Sequence, residues 1–104
     1  MPNTMFPIFL KMDQIQTLVV GGGNVALEKA SAILRNSPEA NLTLVAPFFR
    51  PETREYLQDF PQVRIIERGF QASDLAGLDL IICATDSPTL HAEIKALAAA
   101  QHLL

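Results

Sequence analysis

Several kinds of protein are excluded by what this chain lacks. Cys83 is its only cysteine, so neither an internal disulfide framework nor a cysteine zinc cluster can be built within it. There is no basic stripe: eight Lys and Arg stand singly among eleven Asp and Glu, for a net charge of −3, so nucleic acid is not an expected partner. Long apolar runs are missing too. None approaches the roughly 20 residues that a membrane span requires, so no membrane partner is expected. The opening "MPNTMFPIFLKM" has a short apolar patch but neither a basic n-region nor a small-residue cleavage site, which disfavours a secretory signal and points to the cytoplasm. Repeats and low-complexity linkers are absent, and 104 residues suffice for one domain with one core. A composition 49% hydrophobic and 18% charged is that of a soluble globular protein.

What is present is an alternation of short apolar runs with helix-like stretches, the pattern of a parallel sheet with crossover helices. "TLVV" (17–20) is β-branched and unalternating, as befits a strand buried on both faces. Ala26, Ala30, Ile33 and Leu34 follow at helical spacing, and Pro38 forbids continuation. "LTLVA" (42–46), "VRIIE" (63–67) and "LDLIICAT" (78–85) read as further strands, and "RPETREYLQDF" (50–60) as a short helix with Pro51 in its first turn. "DSPTLHAEIKALAAAQ" (86–101) reads as the last long helix, with Asp86 or Ser87 as its cap and Pro88 near its first position. The closing "HLL" (102–104) reads as the start of a fifth strand, which makes a fragment boundary the expected ending and a natural terminus the other reading.

Between the first strand and the first helix stand Gly21, Gly22 and Gly23. Gly21, Gly23 and Ala26 fit G-x-G-x-x-G/A in a strand-turn-helix context, the signature of a Rossmann-like dinucleotide site. In that pattern the first glycine permits the tight turn, the second admits a pyrophosphate to the backbone, and Ala26 keeps the helix close to the strand. The helix N–H groups then face the phosphates. No Gly-Lys-Ser/Thr follows, which excludes a nucleotide-hydrolase phosphate loop. Asn24 either bonds the phosphates or caps the helix.

One element of the pattern is missing. Where an acid usually grips the adenosine ribose at the end of the second strand, this chain has Val45, Ala46 and Pro47, then Phe48, Phe49 and Arg50. Arg50 reads either as a partner for a 2′-phosphate or as a solvated surface residue, which leaves NAD against NADP open at this level. Thr85 and Asp86, at the end of the fourth strand, are placed to face the cofactor, with helix capping the alternative for Asp86. Cys83 reads as a small buried hydrophobe rather than a reactive thiol. His91 reads as an exposed helix residue rather than a catalyst, and His102 supports no argument.

Taken in order, "FPIFL", "LVVGGGNVALEKA", "LTLVAP" and "IERGFQASDLAGLDLIICATDSPTLHAEI" resemble the N-terminal domain of siroheme synthase, a module that also occurs alone as precorrin-2 dehydrogenase and sirohydrochlorin ferrochelatase. The resemblance runs from Phe6 to about Gln101. It implies NAD as cofactor, oxidation of precorrin-2 to sirohydrochlorin, ferrous iron insertion by the full-length family, and a homodimer. It also implies that Gly21, Gly22, Gly23, Asn24 and Val25 hold the pyrophosphate, that Pro47, Phe48 and Phe49 lie by the adenosine, and that Thr85 and Asp86 border the nicotinamide. The aspartate that serves catalysis in the family lies in an "NVVD"-like segment on the next strand, beyond Leu104. No catalytic residue or metal ligand is therefore named within this chain, and it is expected to turn over nothing alone. The expected architecture is α/β, a Rossmann-like parallel sheet of four to five strands flanked by helices, with residues 1–104 as one NAD-binding domain of a longer protein. Two rival readings are a regulatory dinucleotide sensor similar to those that gate potassium transport, and a non-binding scaffold whose glycines serve packing alone.

Overall fold

The structure, a computed structural model, describes residues 9–101. The strands are β1 (Gln16–Val20), β2 (Asn41–Ala46), β3 (Arg64–Glu67) and β4 (Leu80–Cys83). The helices are α1 (Asn24–Asn36), α2 (Pro51–Leu57) and α3 (Pro88–Ala100), with a single 3-10 turn at Ala72–Leu75 between β3 and β4. The strands form one parallel sheet in the order β3-β2-β1-β4. Four strands lie among the described residues; the expected fifth strand and most of the "FPIFL" entry fall outside them.

Strand periodicity divides the core in two. Val19, Leu44, Ile65 and Ile82 point to one face, where Ala26, Ala30 and Leu34 of α1 and Leu57 of α2 cover them. Leu18, Val20, Val45, Ile66 and Ile81 point to the other, against Leu75 of the 3-10 turn and Ile94 of α3. Residues 17–20 of β1 are all buried because β1 has a strand on each side and cover on each face, which is why it carries no polar alternation. Ala26 and Ala30 are fully buried, so α1 sits close to the sheet; a larger side chain at either position would push the helix off at a cost of about 1–3 kcal/mol.

Strand β4, at the edge of the sheet among the described residues, is shorter than its apolar run. Below it, Asp79 clamps the sheet, its N–H donating to the Gln16 carbonyl at 2.9 Å and its carboxylate accepting from the Gln16 N–H at 2.9 Å. Above it, the Ala84 N–H donates to the Val20 carbonyl at 2.9 Å, carrying the ladder one step toward the loop. The crossover from β3 to β4 is held by Arg68, whose guanidinium grips the Asp74 carboxylate at 2.6 and 2.9 Å while that carboxylate also accepts from the Gln71 N–H at 2.8 Å. This forked pair holds the Asp74 carboxyl below the usual carboxylate range, with the Arg68 hydrogen bonds as the main cause and the Gln71 N–H a lesser one. No helix among the described residues is long and apolar enough to cross a membrane.

Candidate functional site

The carboxyl ends of β1, β2 and β4 open into a cavity of about 570 Å³, at the point where the chain order reverses between β1 and β4. Its floor is the turn of residues 21–25. One wall is Ala46, Pro47 and Phe48 beyond β2; the opposite wall is residues 83–86 beyond β4, with His91 behind them.

The three glycines separate by what each would meet if it carried a side chain. Gly21 has φ of +142°, and a Cβ there would lie 2.6 Å from the Ala84 carbonyl oxygen. Its N–H donates to the Val45 carbonyl at 2.9 Å, so the turn is pinned between the two neighbouring strand ends. At Gly22 a Cβ would run into the Phe48 carbonyl and lie 2.9 Å from the Phe49 ring. The Gly22 carbonyl accepts from the Arg50 N–H at 3.0 Å and from the buried Thr53 hydroxyl at 3.2 Å, tying the glycine turn to the start of α2. Gly21 and Gly22 are therefore required by the protein's own packing. Gly23 is not: its φ is −98°, open to any residue, and a Cβ there would have nothing within 4 Å. The fold leaves that space empty, and Gly23 lines the cavity.

Gly23 is also the N-cap of α1, and no side chain closes that end. A helix start leaves its first N–H groups without backbone partners, and Ser, Thr, Asp or Asn normally supply one. Here the cap has no side chain, and the first turn carries no acid. Asn24 is the first helical residue, exposed beside the cavity, and does not cap; of its two readings the structure removes that one. The result is a set of uncapped donors with positive helix polarity beneath an open space, a cradle that fits a pyrophosphate.

The helix after β4 is closed in the usual way. The Ser87 hydroxyl accepts from the Leu90 N–H at 3.3 Å, and Pro88 occupies the first position, so Ser87 caps α3 and Asp86 is left exposed on the cavity wall. The half-buried Thr85 hydroxyl accepts from the Ser87 N–H at 3.2 Å. Cys83 also reaches the cavity wall. It is half-buried rather than enclosed, and burial pushes its thiol above the ordinary value, offset in part by a backbone hydrogen bond from Thr85.

Of the residues implied by the resemblance, Gly21, Gly22, Gly23, Asn24, Val25, Pro47, Phe48, Thr85 and Asp86 converge on this cavity. Phe49 does not, and neither does Ala26 of the glycine motif. Ala26 lies beneath α1 against the sheet, and Phe49 is buried in the core under Gly22 with the Arg54 guanidinium 5.4 Å from its ring centre. Of the two phenylalanines, Phe48 is the one presented to a ligand, 66% exposed at the rim. Arg50 does not line the cavity; its Nε donates to Glu52 at 3.3 Å on the surface, so the solvated reading holds. His91 does line it, exposed on the helix one turn after "ATD" as the sequence suggests. Among the described residues no group of three or more His, Cys, Asp or Glu could hold a metal ion.

A parallel sheet with a glycine turn, an uncapped helix start and a cavity at its switch point defines a dinucleotide-binding domain of the Rossmann-like class. Residues 8–104 match the model of the family described as "Putative NAD(P)-binding", and the chain belongs to that family. It is 39% identical over 99 residues, 95% of its length, to siroheme synthase of Pseudoalteromonas atlantica, and 43% identical over 95 residues, 91% of its length, to that of Ectopseudomonas mendocina. It spans about one fifth of the length of these curated relatives, 21% and 20%. Among solved structures it superposes on SirC, precorrin-2 dehydrogenase, with a TM-score of 0.76 and 27% identity, covering 88% of this chain and 44% of that one. The likeness to the N-terminal domain of siroheme synthase and the NAD(P) cofactor read from the sequence are both borne out.

Proposed function

We propose that this chain is the NAD-binding part of an enzyme of siroheme formation, which oxidises precorrin-2 to sirohydrochlorin and, in its longer form, inserts ferrous iron. The single observation that carries the reading is Gly23, an N-cap whose missing side chain serves nothing in the protein's own packing and leaves room for a pyrophosphate. Pro47 and Phe48 supply an apolar wall for the adenosine in place of the absent acid, and Thr85 and Asp86 border the nicotinamide half. Among the described residues no Lys or Arg lines the cavity, and Arg50 engages Glu52, which favours NAD over a cofactor bearing a 2′-phosphate.

The nicotinamide carries the hydride chemistry when bound, and this chain orients it and excludes water along one side. No residue here is assigned a proton-transfer role. The tetrapyrrole, the ferrous ion, a cytoplasmic homodimer and the catalytic acid belong to the longer protein. The test is to graft this chain in place of the matching 99 residues of the Pseudoalteromonas siroheme synthase and to follow NADH formation on adding precorrin-2. The reading expects turnover that a further Gly23→Val change abolishes. A folded graft that binds NAD but leaves precorrin-2 unoxidised would contradict it.

A further inference from the structure

We propose that His91 is a specificity-determining hydrogen-bonding residue for the nicotinamide half of the dinucleotide, an inference that rests on the dinucleotide reading of the cavity. His91 is exposed, lines the cavity, and its ring makes no hydrogen bond or ion pair among the described residues. Its backbone is committed, the N–H donating to the Ser87 carbonyl at 3.0 Å within α3. Ser87 takes the Leu90 N–H, and the residue of α3 that lines the cavity is His91.

The layout of the sheet sets which part of the ligand His91 meets. The uncapped start of α1 follows β1 and takes the pyrophosphate, and the Phe48 wall follows β2. Because β2 and β4 flank β1 on opposite sides, the remaining half of the ligand falls over β4, where Asp86 and His91 stand. On that side Asp86 only accepts, the Thr85 hydroxyl accepts from the Ser87 N–H and keeps its own O–H, and the imidazole is the side-chain nitrogen on the β4 wall. A nicotinamide carboxamide and its ribose hydroxyls present both acceptors and donors, and an imidazole can answer either.

Calorimetric titration of NAD, ADP-ribose and ADP into the 104-residue chain and its His91→Ala and His91→Gln variants tests this. His91→Ala is expected to weaken NAD about three- to ten-fold, the range of one net hydrogen bond, to leave ADP and the melting temperature unchanged, and to be largely rescued by Gln. ADP-ribose weakening with NAD would place the contact on the ribose; ADP-ribose unchanged would place it on the carboxamide. Equal loss for NAD and ADP, or no loss for NAD, would overturn the assignment. Failure of the unaltered chain to bind either NAD or ADP would instead overturn the dinucleotide reading beneath it.

Discussion

Gly23→Asp should make the protein more stable and unable to bind its cofactor, a pairing that follows from an N-cap left without a side chain. The backbone at Gly23, φ −98° and ψ −156°, is extended and accepts any residue, and a Cβ there meets nothing within 4 Å. An aspartate would place a carboxylate on the open N–H groups of the first turn of α1. Replacing glycine by a better cap is worth a few tenths of a kcal/mol, and a negative charge at the helix start adds roughly 0.3–1 kcal/mol. Together, about 0.5–1 kcal/mol should raise the melting temperature by roughly 2–5 °C for a domain of this size. The same carboxylate occupies the donors and the space assigned to the pyrophosphate and repels its charge, so NAD affinity should fall by at least a hundredfold. Thermal melts with and without saturating NAD read both effects: the variant should start higher than the unaltered protein and gain nothing from NAD. A variant that still gained stability from NAD would refute the reasoning, and one that melted several degrees lower would show that Gly23 serves the fold after all.

Gly22→Ala should do the opposite, losing roughly 1–3 kcal/mol of stability because its Cβ meets the Phe48 carbonyl and the Phe49 ring; a melt unchanged from the parent would contradict that packing. Asp74→Asn should destabilise the fold at neutral pH by loosening the Arg68 fork. Since the folded-state pKa of Asp74 is lowered, the parent's advantage is present above the ordinary carboxylate value of about 4 and is lost as pH falls from there through the lowered value. Denaturant midpoints for both proteins across pH 2–7 check this. Cys83, whose thiol is raised by burial, should alkylate slowly at neutral pH and faster as pH rises, and saturating NAD should protect it because it stands on the cavity wall. Alkylation at the same rate with and without NAD would place Cys83 outside the ligand's cover.

The sheet was legible because each strand is an apolar run bounded by glycine, proline or polar residues, and because "TLVV", short, β-branched and without alternation, fits a strand covered on both faces. The glycine turn was legible as a site, but not the division of labour within it. Gly22 is fixed by a carbonyl and a ring some 26 residues away, and no local pattern announces that contact. The same long-range packing turns Phe49 inward and leaves Phe48 outward, a choice that two adjacent phenylalanines cannot express in sequence. The cap of α3 was open between Asp86 and Ser87, which satisfy the same rule one residue apart; the start of the helix at Pro88 decides for Ser87 and frees Asp86 for the cavity. The single 3-10 turn in the crossover to β4 was unread because it is only Ala72–Leu75 long and is held by Arg68 and Asp74, not by helical periodicity.

Amide chemical-shift mapping on adding NAD to the isotope-labelled chain tests most directly that the dinucleotide lies across the glycine turn. The largest changes are expected at Gly21, Gly23, Asn24 and Val25, with further changes at Phe48, Thr85 and Asp86. Saturable shifts that spared the turn and fell instead on the separate groove around Thr43, Arg64 and Ser73 would contradict it.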